Sequence, residues 1–228
     1  AELGEEEGGQ ESIQIVLEVI VLGTSEGGST GDDFTTHFQR TDGLVWDARF
    51  NNGGEDVATG LSNQGVYYYC AGYSEIPDSF MYAVDYSVVN YIPLSIGTYT
   101  QEWSHTWDYA GGDDFSSDIQ TEQEGAVNHV WITGEGKSGT RRDVFTVHYE
   151  DDTTGSVAAD WEHGFNAGGT SPFNYGKGMY LQSNGSPKAP YIAGAVGSTG
   201  GDWMLTLKYK VNPSAPPEYI KQWNKLYS

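Results

Sequence analysis

The residues with the clearest capacity for chemistry are two glutamates that each neighbour a tryptophan. Glu102 precedes Trp103 and Glu162 follows Trp161, in a chain with 7 Trp and 16 Tyr. Glycoside hydrolysis uses two carboxyl groups on either side of a cleft, so these glutamates are the candidates for that chemistry. Sequence spacing does not reveal the separation of roughly 5–9 Å that such a pair needs, and aromatic residues more commonly fill β-sheet cores. A glycosidase is therefore the weakest of the functions that the sequence suggests.

Two acidic runs offer oxygen ligands for a divalent cation. One comprises Asp113, Asp114 and Asp118, and the other comprises Asp151 and Asp152. Calcium prefers carboxylate and carbonyl oxygens, but neither run has the ligand spacing of an EF-hand. Solvated loops are the simpler interpretation of such runs in a chain this acidic. The sequence thus predicts no cofactor, with structural cations as the only ions that these weak candidates could hold.

The familiar catalytic signatures are missing from the sequence. The five histidines lack zinc-site spacing, Cys70 is the single cysteine, and no nucleophile elbow or dinucleotide motif occurs. The segment from Gly134 to Gly139 superficially resembles a phosphate loop, but its spacing indicates a hairpin turn. His148 alternates with Val147 and Tyr149, and it is expected on a solvated face. We therefore expect a protein that is not an enzyme and has no small-molecule substrate.

The charge of the chain is strongly negative. It contains 32 Asp and Glu against 11 Lys and Arg, which gives a net charge of -21 and a pI near 4.3. Such a charge repels nucleic acid and anionic lipid, while an aromatic content of 14% argues against disorder. In molar salt the Debye length falls to about 3 Å, which makes a dense carboxylate surface tolerable. The composition indicates a halophilic protein, with an acidic mesophilic or extracellular protein as the alternative.

Positive charge is concentrated towards the C-terminus. Residues 50–136 hold thirteen carboxylates and no Lys or Arg, whereas residues 203–228 hold four lysines and one glutamate. This segment could bind an acidic surface of a second copy, although a solvated tail explains it equally well. The candidate assembly residues are Tyr219, Ile220, Lys221, Trp223, Lys225 and, at an assembly edge, Cys70. Cys70 is otherwise expected to be a small buried hydrophobe, and the aromatic spacing of the tail predicts a short amphipathic helix.

The remaining pattern predicts an all-β fold. About eleven short β-branched or aromatic runs are bounded by Gly, Pro, Asn or Asp, which favours a jelly-roll sandwich or barrel with an inserted small β subdomain. The predicted organisation is a flexible acidic arm at 1–12, a β domain at 13–211 and an aromatic tail at 213–228.

Four segments together resemble one family. The acidic arm Ala1 to Gln10, the strand Ile13 to Leu22, the closing strand Trp203 to Val211 and the tail Pro213 to Ser228 resemble the larger major capsid protein of membrane-containing icosahedral haloarchaeal viruses, the sphaerolipovirus-like group. The resemblance implies a single jelly roll in capsomers, paired with a second, smaller capsid protein above an internal membrane. It further implies an inserted tower that faces solvent, which is expected within 51–136. It also implies location in the virion after assembly in the host cytoplasm, and no nucleic-acid partner. A halophilic extracellular glycan-binding or cell-surface β-sandwich protein remains the alternative.

Overall fold

The computed structural model describes residues 18–26, 32–40, 45–51, 54–77, 82–95, 98–109, 111–155, 157, 159–166, 173–182, 189–197, 202–211 and 219–227. Within these ranges the chain forms fifteen β-strands and no helix, so the predicted all-β class is confirmed. A search of the same ranges finds no helical segment with the length and apolar character of a membrane span. The predicted arm at 1–12 lies outside the described residues.

The strands form four antiparallel sheets that follow one another along the chain. The first sheet contains β1 (Glu18–Glu26), β2 (Asp32–Arg40) and β3 (Val45–Phe50). The second contains β4 (Asp56–Gln64), β5 (Tyr67–Pro77), β6 (Tyr82–Ser95) and β7 (Thr98–Trp107). The third contains β8 (Asp114–Glu124), β9 (Val127–Ser138), β10 (Arg141–Asp151) and β11 (Ala159–Phe165). The fourth contains β12 (Asn174–Leu181), β13 (Pro190–Val196), β14 (Trp203–Val211) and β15 (Tyr219–Tyr227).

Each sheet keeps the order of its strands in the chain. A jelly roll contains two Greek keys, in which a strand returns to lie beside one that is distant in sequence. No sheet among the described residues has that crossed order, so the predicted jelly roll is not confirmed. Each strand instead pairs with its neighbour in the chain, and two-residue turns join such pairs where the structure describes the whole connection.

Three of these turns share one geometry. Gly65, Gly125 and Gly139 have φ of 61°, 64° and 61°, and each is followed by one residue without positive φ before the next strand. A two-residue hairpin with glycine at the first central position is a type II′ turn, which matches the twist of paired strands. The segment from Gly134 to Gly139, interpreted as a turn, is mostly strand β9 and turns only at its end.

The sheets pack face to face in chain order. The first strands of successive sheets lie beside each other, β4 next to β8 and β8 next to β12. The segment 51–136, where an insertion was expected, supplies the whole second sheet and most of the first two strands of the third. It therefore contributes to the central packing of the stack.

Three apolar clusters fill the spaces in this stack. The cluster centred on the second and third sheets contains Tyr69, Tyr86, Trp103, Trp107, Phe145, Val147 and Tyr149, among others. The cluster between the third and fourth sheets includes Trp131, Trp161, Ile192, Leu205, Leu207, Tyr209 and Tyr219. A smaller cluster joins Ala48 and Phe50 to Tyr68, Cys70, Val89 and Tyr91. The aromatic residues are thus mainly core residues, as their usual role in β proteins suggests.

Strand β10 is buried on both faces, which corrects the prediction for His148. Phe145, Val147 and Tyr149 belong to the cluster with the second sheet, and Val144 belongs to the cluster with the fourth. The predicted alternation is right, but the fourth sheet covers the second face as well. His148 is consequently fully buried, and the prediction of a solvated position is wrong.

The predicted C-terminal helix is also wrong, because residues 219–227 form strand β15 paired with β14. The register shifts opposite Lys208 and Tyr209, so β15 carries one extra residue there. This bulge allows Tyr219 and Leu226, seven positions apart, to pack into the same cluster. The irregular aromatic spacing that resembled a helical period is therefore that of a bulged strand.

Candidate functional site

The fourth sheet exposes one of its two faces. Met179, Ile192, Leu205 and Tyr219 point into the cluster with the third sheet, so their neighbours along each strand point the opposite way. We call this second side the outer face; it carries Tyr180, Tyr191, Ala193, Met204, Thr206, Lys208, Lys210, Ile220, Lys225 and Tyr227. Tyr180, Met204 and Tyr227 are 61%, 56% and 47% exposed. The outer face therefore holds three of the six strongly exposed large apolar side chains of the described residues.

A shallow groove of about 340 Å³ runs across the outer face. Its middle row consists of small residues, because Gly178 pairs with Ala193 and Ala193 pairs with Thr206. Tyr180 and Tyr191, which pair with each other, line it beside this row. The arrangement gives the face a concave apolar strip with an aromatic border.

Two lysines of β14 lie on the same face as this strip. The Nζ of Lys208 lies 4.7 Å from the centre of the Tyr191 ring, and Lys210 is exposed on the same strand. Residues 174–228 contain six lysines and two carboxylates, whereas residues 1–173 contain thirty carboxylates and five Lys or Arg. In the third sheet the basic side chains pair with acids of their own chain, Arg142 with Glu135 at 2.5 Å and Lys137 with Asp113 at 2.6 Å. The outer face is thus a positive surface on a negative molecule.

The structure divides the predicted assembly residues into two groups. Ile220 and Lys225 lie on the outer face, as an assembly role requires. Tyr219 is buried against Trp131 in the core, and the Nζ of Lys221 packs 4.6 Å from the Phe165 ring on the inner side. The side chains of these two residues therefore point away from the outer face, and Tyr219 is buried whereas Lys221 remains exposed.

Two further candidates for assembly contacts remain. The side chain of Trp223 lies outside the described residues. Cys70 is fully buried, as expected for a small hydrophobe, and this burial contradicts a position at an assembly edge. An intermolecular disulfide at Cys70 would require the core to open.

A carboxylate cluster forms where the second and third sheets meet. Asp85 of β6, Asp108 after β7 and Asp114 at the start of β8 each place a carboxylate oxygen within 4.8 Å of the other two. Asp114 is fully buried, Asp85 is 6% exposed and Asp108 is exposed. The cluster therefore extends from the surface into the interior.

The carboxyl groups of this cluster differ from ordinary aspartates. Burial raises the pKa of Asp114 to about 8. The backbone N–H groups of Tyr109 and Lys137 donate to its two oxygens, and these hydrogen bonds lower the pKa by a smaller amount. Burial, together with the charges of Asp108 and Asp113, raises the pKa of Asp85 to about 6. Because burial makes the charged form of these carboxyl groups less favourable, the cluster favours binding of a proton or a cation.

Of the predicted ligand run, only Asp114 joins the cluster. Asp113 pairs with the Nζ of Lys137, and Asp118 accepts hydrogen bonds from the backbone N–H groups of Met179 and Ile119 at 2.6 and 2.8 Å. Asp85 was not predicted, because it lies 29 residues before Asp114 and no sequence period links them. Strand pairing alone brings these residues together.

Among the described residues, the second predicted run does not belong to a cluster of three or more potential metal ligands. Asp151 is fully buried, and its oxygens accept four hydrogen bonds. Asp152 is exposed and accepts hydrogen bonds from the backbone N–H and the hydroxyl of Thr154 at 3.0 and 2.6 Å. Protein donors therefore engage both carboxylates.

The glutamates considered for glycoside hydrolysis lie on different sheets. Glu102 is on β7, and Glu162 is on β11, where it accepts a hydrogen bond of 2.5 Å from Trp107 Nε1. This contact gives Glu162 a structural role between the second and third sheets. The absence of enzymatic activity remains a prediction.

A buried histidine pair was not predicted from the sequence. The Nδ1 of His129 lies 3.1 Å from the Nε2 of His148, whose Nδ1 lies 2.8 Å from an Asp160 oxygen. Burial lowers the pKa of His148, and the nearby Asp160 carboxylate raises it by a smaller amount. The pair sits against Trp131 in the core, so its contacts join β9, β10 and β11.

Comparisons with known proteins add little about function. No protein-family model and no curated protein matches the sequence. Among solved structures, the chain is similar to the Bombyx mori GH32 β-fructofuranosidase BmSUC1, with a TM-score of 0.49 and 8% identity over 92% of this chain and 47% of that one. It is also similar to the Vanderwaltozyma polyspora Nup133 β-propeller domain, with a TM-score of 0.47 and 10% identity over 92% and 62% of the two chains. A third match is Pseudomonas aeruginosa periplasmic gluconolactonase PpgL, with a TM-score of 0.40 and 11% identity over 92% and 69%.

The chain thus spans about half the length of the BmSUC1 chain. All three TM-scores lie below 0.5, so these similarities carry no inference about activity, ligand or partner.

Proposed function

We propose that this protein is a structural subunit that assembles with copies of itself through the outer face of the fourth sheet. The observation that carries the proposal is the pairing of Met204 with Tyr227, which are directly opposite each other on adjacent strands and strongly exposed. An apolar patch with a polar border is typical of protein interaction sites. The acidic remainder of a second copy supplies the charge that complements Lys208 and Lys210.

The balance of forces explains why such a subunit would need salt. Two copies that each carry a charge of -21 repel each other strongly in dilute buffer. Molar salt shortens the Debye length to about 3 Å, which removes the long-range repulsion and preserves lysine–carboxylate pairs in direct contact. Burial of Tyr180, Met204 and Tyr227 then favours association at about 25 cal/mol per Å² of apolar surface.

The specific assembly that we propose is the capsid of a haloarchaeal virus. The second, smaller capsid protein and an underlying membrane belong to this proposal, as does location in the virion. Its support is the acidic composition and the segregated charge of the chain.

The strand order within the described sheets gives no support to a jelly roll. β-Propellers are built from repeated four-stranded sheets, which are called blades. The second, third and fourth sheets of this chain are four-stranded meanders that pack with their first strands adjacent. We therefore infer a stack of propeller-type blades in place of a jelly roll.

Light scattering combined with size-exclusion chromatography tests the assembly. In molar salt the wild-type protein is expected to form oligomers that dissociate, while remaining folded, as salt is lowered. The double variant Met204→Glu/Tyr227→Glu is expected to stay monomeric in molar salt, because it places charges at the centre of the interface. Its circular dichroism should match that of the wild-type protein, since both side chains are exposed.

Val66→Glu is the matched control, because Val66 is 59% exposed but lies in the turn between β4 and β5. This control should assemble normally. A wild-type monomer in molar salt, or oligomers that persist in the double variant, would overturn the proposal.

Glycan binding is a second candidate, favoured by the groove itself. Tyr180, Tyr191 and Asp118 line it, which is the combination of aromatic and polar groups that a sugar ring requires. Titration of soluble oligosaccharides followed by NMR would detect binding that is lost in Tyr180→Ala. An unchanged spectrum with every sugar, together with oligomerisation of the protein, would favour assembly.

A further inference from the structure

We propose that Asp85, Asp108 and Asp114 bind a calcium ion that joins the second sheet to the third. This site is independent of the outer face and of the assembly proposed for it. Its ligands come from β6, from the segment after β7 and from the start of β8. A bound cation would therefore connect two consecutive sheets at the point where the chain passes between them.

The distances suit a calcium ion. Calcium binds carboxylate oxygens at about 2.3–2.6 Å, so two ligands on opposite sides of the ion lie about 4.8 Å apart. The three aspartate oxygens all lie within 4.8 Å of one another. Magnesium requires about 2.0–2.1 Å and near-octahedral order and keeps several of its waters, so a site that offers three carboxylates from different segments favours calcium. Asp108 is exposed, which leaves room for water molecules to complete the coordination shell.

Asp85 supplies an independent indication of a missing partner. Its side chain is 6% exposed, and its Oδ1 accepts no hydrogen bond from the described residues. A buried carboxylate oxygen without a donor is costly, and native structures usually satisfy it with a proton, an ion or water. This carboxylate also belongs to the cluster, so a cation placed there would serve all three aspartates.

The surrounding contacts hold the ligands ready for an ion. The backbone N–H groups of Tyr109 and Lys137 fix both oxygens of Asp114, at 2.5 and 3.0 Å, and each oxygen keeps a second acceptor position. The Oδ1 of Asp108 accepts a hydrogen bond of 2.7 Å from the N–H of Gly111. The Nζ of Lys137, whose backbone N–H contacts Asp114, lies 2.6 Å from Asp113 and is therefore directed to another carboxylate.

Thermal unfolding with calcium chloride tests the site. A ligand that binds only the folded protein raises Tm in proportion to the logarithm of its concentration above Kd. At constant ionic strength in sodium chloride, calcium is expected to raise the wild-type Tm by several degrees over chelator, and magnesium is expected to raise it much less. Isothermal titration should show one calcium ion bound per chain.

Asp85→Asn and Asp108→Asn remove one ligand charge each. Asn at position 108 can keep the hydrogen bond from Gly111, so this variant should fold. Asp85→Asn should raise Tm in chelator, because an unpartnered buried carboxylate is gone. Both variants should lose the calcium response, whereas Asp202→Asn, an equal charge change at an exposed position just before β14, should retain it.

The proposal is overturned if calcium shifts the Tm of wild type, Asp85→Asn and Asp202→Asn equally. It is also overturned if magnesium or additional sodium chloride reproduces the wild-type shift, since either result indicates general screening of acidic charge.

Discussion

Asp151 shows how a single carboxylate organises the interior of this acidic protein. Its Oδ2 accepts hydrogen bonds from Tyr69 OH, Asn90 Nδ2 and Trp103 Nε1 at 2.8, 3.0 and 3.0 Å. Its Oδ1 accepts the backbone N–H of Thr153 at 2.8 Å. Burial and the bond to Asp151 raise the pKa of Tyr69, which keeps this hydroxyl a donor. Asp151 thus ties strands β5, β6 and β7 of the second sheet to the end of β10.

Asp151→Asn is expected to lower the free energy of unfolding by about 3 kcal/mol, because the amide nitrogen cannot accept and must face at least one of these buried donors. Chemical denaturation followed by tryptophan fluorescence measures the loss. Asp152→Asn is the matched control, since the exposed neighbour can keep its acceptor contact with Thr154, and it should change stability by no more than about 0.5 kcal/mol. Equal effects of the two substitutions would refute the role assigned to Asp151.

Sequence reasoning reached some residues and not others, for a physical reason. The burial of Cys70 follows from its apolar neighbours, so it could be predicted. The role of Asp151 depends on donors 48 to 82 residues away in the chain, and the role of Asp85 depends on Asp114, 29 residues away. Local sequence looks the same for a solvated carboxylate and for one that the fold encloses.

At the scale of the strands, glycine sets how closely the third and fourth sheets approach. A Cβ on Gly176 of β12 would lie 2.7 Å from Thr133 Oγ1 and 2.8 Å from the Gly134 carbonyl oxygen, both on β9. At Gly178 the nearest atom to such a Cβ is an Asp118 oxygen at 3.8 Å, which is an ordinary contact. The two glycines on either side of Lys177, at the same bulge, therefore have different roles.

Gly176→Ala should destabilise the protein by about 1–3 kcal/mol, because backbone atoms of β9 must move to admit the methyl group. Gly178→Ala should be neutral or stabilising by up to about 1 kcal/mol, since its methyl group fits and the unfolded chain loses freedom. Thermal and urea unfolding of the two variants measure this difference. A Gly178→Ala variant less stable than Gly176→Ala would show that the sheets do not meet as described.

The strands that the sequence predicted best have strong apolar or β-branched character. The closing strand predicted at Trp203 to Val211 agrees with β14. Strands β4, β7 and β8 were missed because their residues are largely polar; β8 reads Asp-Phe-Ser-Ser-Asp-Ile-Gln-Thr-Glu-Gln-Glu. The glycine-first turns at Gly65 and Gly125 were the available signal, since each marks a hairpin that requires a strand on both sides.

Across the whole molecule, charge and sheet order are correlated. The lysines are concentrated in the last sheet of the stack, and the preceding 173 residues carry thirty carboxylates. Sequence composition predicted the charge asymmetry and a partner role for the C-terminal segment. It could not show that alternation along β14 and β15 places Lys208, Lys210 and Lys225 on one face together with Met204 and Tyr227. Strand pairing determines that arrangement.

Zero-length cross-linking of lysine to carboxylate, in molar salt, tests the central claim most directly. Mixing unlabelled and ¹⁵N-labelled protein distinguishes bonds between copies from bonds within one chain by mass spectrometry. The account predicts cross-links between copies from Lys208 and Lys210 to carboxylates of the first 173 residues, lost in Met204→Glu/Tyr227→Glu and retained in Val66→Glu. Cross-links found only within single chains, or between copies only through Lys137, would contradict it.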